Sequence, residues 1–70
     1  MKIRILKNIW VEIEKPRLGE VWDKRLGKWT ELHVENINVN GKFAYLSTYD
    51  GITIANVPVD AFEVLTYSTP

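Results

Sequence analysis

The sequence predicts an all-β fold, and three observations carry that reading. Ile and Val supply seven residues each and Thr five, with eight aromatics beside them, and all of these favour strands. Apolar and polar residues alternate over much of the chain, and no stretch reads as an amphipathic helix. Glycines at 19, 27, 41 and 51 interrupt the alternation as turns do.

Each element follows from local pattern. Ile3 and Ile5 alternate with Lys2 and Arg4, the signature of a half-buried strand, and Leu6-Lys7-Asn8 breaks the phase. Ile9, Val11 and Ile13 then alternate with Trp10, Glu12 and Glu14. Lys15-Pro16-Arg17-Leu18-Gly19 is a loop, because Pro16 removes a ladder donor and restricts Lys15. Residues 20–23 form a short strand. Residues 23–28 turn back, with Gly27 free to adopt a positive φ. Residues 29–39 make the longest strand. Leu32 and Val34 share one parity, Ile37 and Val39 the other, so a bulge or sharp coil is expected near Glu35-Asn36.

Asn40-Gly41 predicts a tight type I′ hairpin, and Asp50-Gly51 a second tight turn. Between and after them lie strands over residues 43–49 and 52–57. Residues 58–61 suit one 3₁₀ turn, residues 62–67 a last strand with Phe62 in the core and Tyr67 at an edge. Ser68-Thr69-Pro70 reads as a frayed tail.

This order resembles the SH3-like small β-barrel. The likeness rests on the closing segment Val57-Pro58-Val59-Asp60-Ala61-Phe62-Glu63-Val64-Leu65 and on the two tight hairpins before it, and covers about residues 28–66. It implies a single five- to six-stranded barrel with one 3₁₀ turn before a last strand that pairs back to the first. The Ala-Leu-Tyr-Asp-Tyr-type opening and the tandem tryptophans of signalling SH3 domains are absent, so their proline-rich specificity is not implied. The rival folds are an oligonucleotide-binding barrel, which usually wants a longer chain and a helix, and a plain meander packed on a partner.

Seventy residues and 8.1 kDa allow one domain, residues 1–70, with a small core and no room for a buried cofactor. The initial Met1 and the short tail read as a whole gene product. The absence of cysteine excludes disulfides, thiolate metal sites and cysteine nucleophiles. No apolar run spans a bilayer or serves as a signal peptide, so the expectation is a cytoplasmic protein away from the membrane. Nine basic and nine acidic residues balance, yet residues 1–28 carry eight Lys/Arg against four acids and residues 29–70 one against five. If the halves face different ways, the molecule is an electric dipole. Pairing between the halves would blur it.

Chemistry-bearing constellations are few. Glu31, His33 and Glu35 form a polar stripe, read as an exposed strand face in preference to a metal site. One histidine, no phosphate loop and no nucleophile elbow leave no catalytic residue to name, and no metal or cofactor is expected. The aromatics carry more. Trp10 is out of phase with Ile9 and Val11, and Trp29 sits in phase with Glu31 and His33, so both rings are expected outside the core. Trp22 is open to either placement, including capping the core. Phe43, Tyr45 and Tyr49 share one parity and Ala44 and Leu46 the other, so one set is core and one outside.

The leading functional reading is a non-catalytic interaction module or accessory subunit. It would bind another protein through Trp10, Trp22, Trp29, Tyr45 and Tyr49 with flanking charged loops. The alternative is RNA or single-stranded DNA binding. Lys15, Arg17, Lys24, Arg25 and Lys28 would then form a basic rim beside stacking tryptophans, provided the two basic loops lie side by side. A small nuclease or toxin-like enzyme is the third reading, and a homodimer through an open sheet edge the fourth.

Overall fold

A computed structural model describes residues 1–66, so the expectations for Tyr67 and the 68–70 tail lie outside the described residues. The strands are β1 (Lys2–Ile5), β2 (Ile9–Lys15), β3 (Glu20–Leu26), β4 (Glu31–His33), β5 (Asn36–Asn40), β6 (Phe43–Ser47), β7 (Thr53–Pro58) and β8 (Phe62–Thr66). The expected 3₁₀ turn is present at Val59–Ala61. All pairings are antiparallel. They build a three-stranded sheet ordered β4-β1-β8 and a five-stranded sheet ordered β3-β2-β7-β6-β5.

This corrects the SH3-like barrel and its count of five or six strands. The described residues form eight strands in two open sheets. The last strand does pair back to the first, through β8 and β1, but a closed barrel needs every strand to have two neighbours. Strands β3, β4, β5 and β8 each have only one. The chain switches sheet four times, between β1 and β2, β3 and β4, β4 and β5, and β7 and β8, and two of these fall at the phase breaks. Leu6-Lys7-Asn8 separates β1 from β2, and Val34-Glu35 separates β4 from β5. At each break the chain leaves one sheet and enters the other, so the expected long bent strand of residues 29–39 is two short ones. The core fills the space between the sheets: Ile3 and Ile5 from β1 meet Val11, Ile13, Leu26, Ala44, Leu46, Ile54 and Val57 from the five-stranded sheet, with Val34 at the crossover. Phe62, expected in the core, is half-buried and packs against it.

Three turns also differ in detail. β3 continues to Leu26 rather than stopping at Asp23, because Leu26 is buried opposite Ile9. The reversal after it uses residues 27–30, and the positive φ falls on Trp29 (φ 74) rather than on Gly27. Trp29 is pinned there: its N–H donates to the Ile5 carbonyl at 2.6 Å, and the Ile5 N–H donates to Thr30 O at 2.8 Å. In the next hairpin Asn40 pairs with Phe43, so Gly41 and Lys42 are the central residues. Only Gly41 has a positive φ, the pattern of a type II′ turn rather than I′. The turn at Asp50-Gly51 spans three residues, closed by a Gly51 N–H to Thr48 O bond of 3.4 Å with Gly51 at φ 83. The Thr48 hydroxyl bonds the Asp50 carboxylate and accepts the Ile52 N–H.

Part of the charge asymmetry of the sequence is neutralised in the fold. Lys2 and Arg4 pair with Glu31 at 2.9 and 3.2 Å, Arg4 also with Glu63 at 3.6 Å, and Lys7 with Asp60 at 3.1 Å. Each pair joins the basic half to the acidic half; those of Lys2 and Arg4 do so because β1 lies between β4 and β8.

Candidate interaction surface

Register decides which side chains share a face, because directly opposed residues point the same way. Ile13, Ile54 and Leu46 are opposed across β2, β7 and β6 and face the core. The alternate set therefore faces outward. It comprises Trp10, Glu12 and Glu14 on β2, Val21, Asp23 and Arg25 on β3, Thr53 and Ala55 on β7, and Phe43 and Tyr45 on β6. On β5, Asn36, Asn38 and Asn40 complete it.

Three aromatics thus stand on one open face. Trp10 is 69% exposed, and Phe43 and Tyr45 are exposed with it. Trp10 lies on β2 two residues beyond the last β2–β7 pair, Glu12 with Ala55, and β7 runs between its strand and that of Phe43 and Tyr45. Ala55, opposite Glu12 on one side and Tyr45 on the other, is buried within this face. β7 is bulged here. Ala44 pairs with Val57 and Leu46 with Ile54, so Ala55 and Asn56 together oppose Tyr45. Asn56, the second residue of the bulge, has a left-handed backbone at φ 62.

The same face carries an acidic cluster. Glu12 is directly opposite Asp23, with Glu14 two residues along the strand. Like charges directly opposed on a sheet are unfavourable by roughly 0.2–1 kcal/mol. No ion pair among the described residues relieves them, since those present involve only Glu31, Glu63 and Asp60. Arg25, opposite Trp10, is the single cation among these outward residues of β2 and β3.

The remaining aromatics and cations lie elsewhere. Trp22 is opposite Ile13 on the core side of edge strand β3 and is 38% exposed, with Lys15 Nζ 5.4 Å from its ring centroid. Trp29 is 59% exposed in the turn after β3, with Lys28 Nζ 4.9 Å from its ring. Lys24 is opposite Val11, on the same side as Trp22. Tyr49 lies past the end of β6, in the turn. There it lines an open depression of about 640 Å³ with Lys15, Arg17, Leu18, Glu35 and Asp50.

The two basic segments are not side by side. Lys15 and Arg17 stand at one end of the β2–β3 hairpin and Lys24, Arg25 and Lys28 toward the other, near the pairing of Ile9 with Leu26. Six residues of strand, about 20 Å, separate the ends. The polar stripe is divided as well. Glu35 lies beyond the break after β4, and Glu31 is held by Lys2 and Arg4. Hydrogen bonds from Lys2 first, then Arg4, lower the Glu31 pKa below its ordinary 4.5. Among the described residues no group of three His, Asp or Glu side chains is arranged to hold a metal.

Sequence reasoning singled out Trp10 and Tyr45 but not Phe43, Glu12, Glu14 and Asp23 as their companions. The signal was the hairpin register. Alternation assigns parity within a strand but does not say which residue of the next strand stands opposite.

No protein-family model matches the chain, and neither curated proteins nor solved structures give a significant match. The molecule is a small all-β domain with exposed aromatic and charged residues. Among the described residues no helix is long and apolar enough to cross a membrane.

Proposed function

We propose that the outer face of the five-stranded sheet is a non-catalytic docking surface for a basic segment of another protein. The observation that carries this is the sharing of one face by Trp10, Phe43 and Tyr45 with the opposed carboxylates Glu12 and Asp23. Exposed aromatics supply large contact area at small entropy cost. The carboxylates add the charge that a lysine- or arginine-bearing partner would neutralise, relieving a repulsion built into the free domain. A phosphate backbone would meet the wrong sign here, which makes the nucleic-acid reading the weaker one for this face.

The test is capture of partners by the tagged protein from source-cell lysate, with and without nuclease. The expected result is a nuclease-resistant protein that is lost with Trp10→Ala and with Tyr45→Ala and kept with Trp29→Ala. Each of the first two truncations should cost about 2 kcal/mol, roughly thirtyfold in affinity. Glu12→Gln should weaken capture while leaving the fold as stable or slightly more so. Retention of nucleic acid, or of a protein indifferent to Trp10 and Tyr45, would refute the reading.

A further inference from the structure

The edges of the five-stranded sheet are unequal. β3 carries Glu20, Asp23, Lys24 and Arg25 along its seven residues, the charged flank that discourages further strand pairing. β5, at the other edge, is Asn36-Ile37-Asn38-Val39-Asn40 and has no charge, proline or glycine. In the other sheet, β4 is only three residues long and β8 carries Glu63. β5 is therefore the least guarded edge, and its pattern reads the same in both directions about Asn38.

We propose that β5 pairs antiparallel with β5 of a second copy of this chain, on a two-fold axis through Asn38. A two-fold interface must be self-complementary, each residue meeting its counterpart in reverse order. In this register Asn36 opposes Asn40, Ile37 opposes Val39, and Asn38 opposes itself. The backbone groups point the right way. Asn40 and Phe43 flank a two-residue turn, so Asn40, Asn38 and Asn36 exchange hydrogen bonds with β6. The amides of Ile37 and Val39 then face the open edge. The Ile37 N–H is accordingly taken by the Asn36 side chain, at 3.0 Å, rather than by β6. In the dimer Ile37 and Val39 of each copy exchange bonds with Val39 and Ile37 of the other.

The side chains agree with the backbone. Ile37 and Val39 lie on the core side of the sheet, and Val39 is 63% exposed in the single chain. Pairing sets Val39 against Ile37 of the second copy and extends the apolar layer. At each end the register places Glu35 beside Gly41 of the second copy, one residue from its Lys42, so opposite charges adjoin twice. The result is one sheet of double width with two copies of the aromatic face.

Sedimentation over a concentration series to about 1 mM, combined with cysteine cross-linking, tests this. The wild type should dimerise, and Val39→Lys should raise the dimer dissociation constant about tenfold or more while keeping its far-ultraviolet circular dichroism. The chain has no cysteine of its own, so single introduced thiols report register. Opposed Asn38 Cα atoms would lie about 4.5 Å apart, within disulfide range. Asn36 would lie about 13 Å from Asn36 of the second copy. Asn38→Cys should therefore form a disulfide dimer on oxidation, and Asn36→Cys should not. A monomer throughout the series, or cross-linking of Asn36→Cys as rapid as that of Asn38→Cys, would overturn the proposal. Should Val39→Lys fail to fold, the cross-linking pattern decides.

Discussion

Asn56 offers a direct test of the physical account, because one backbone angle there shapes the aromatic face. Its φ of 62 lies in the left-handed region, and its side chain is exposed, so few contacts complicate a substitution. A residue with a Cβ is about 1–2 kcal/mol worse in that region than in the right-handed one. Asparagine recovers part of this and glycine all of it. Replacement by alanine should therefore destabilise the domain by about 1 kcal/mol. Replacement by glycine should be nearly neutral, its freedom from strain offset by about 0.4–1 kcal/mol of extra unfolded-chain entropy. A chain of this size has about 3.5–10 kcal/mol of stability in all. An effect of 1 kcal/mol is then a large fraction, equal to about 4–8 °C in Tm. Thermal and urea unfolding of Asn56→Ala, Asn56→Gly and Asn56→Val would order them, with valine worst because of its branched Cβ. Equal stability of the three would refute the bulge as described. The bulge also positions Tyr45 against Ala55, so Asn56→Ala should weaken partner capture beyond its effect on the folded fraction.

Two further expectations follow from packing and charge. Leu46 is wholly buried between the sheets, and Leu46→Ala should cost about 2–5 kcal/mol by urea titration; a loss under 1 kcal/mol would show that the sheets do not enclose it as tightly as described. Glu31 has its pKa lowered in the folded state by Lys2 and Arg4, so its contribution is present above the unfolded carboxylate pKa and lost as pH falls through the folded value. Wild type and Glu31→Gln should thus differ in Tm at neutral pH and converge in acid, whereas a gap that widens on acidification would contradict the assignment.

The strand-forming character of the chain was legible because period-two alternation is local. Ile3, Ile5, Val11 and Ile13 are buried as their parity required, and Ala44 and Leu46 turned inward while Phe43 and Tyr45 turned outward. The turn chemistry was legible only to within a residue. Asn40-Gly41 announced a hairpin, but closure between Asn40 and Phe43 moved its centre onto Gly41-Lys42. The parity of Trp29 puts its ring outside the core, where it lies at 59% exposed; its left-handed backbone is held by hydrogen bonds with Ile5, far away in sequence. The barrel reading failed because the resemblance concerned element order, and two open sheets can present the same order as a closed one.

Legible in the residues alone are the all-β character, the approximate strands, the outward parity of Trp10 and the lack of thiol chemistry; whether Tyr45 or its neighbours Ala44 and Leu46 face outward stays open. The legible features depend on residue type and on a repeat of two along the chain. That the chain changes sheet at Leu6-Lys7-Asn8 and at Val34-Glu35 emerges only from the folded arrangement. Only it set Glu12 against Asp23, placed the aromatics on one face, and left β5 as an unguarded edge. Those outcomes depend on which strand lies beside which, and in what register. Pairing energy comes from contacts between segments distant in sequence, so alternation within each segment is compatible with many arrangements, and burial of a shared core selects among them.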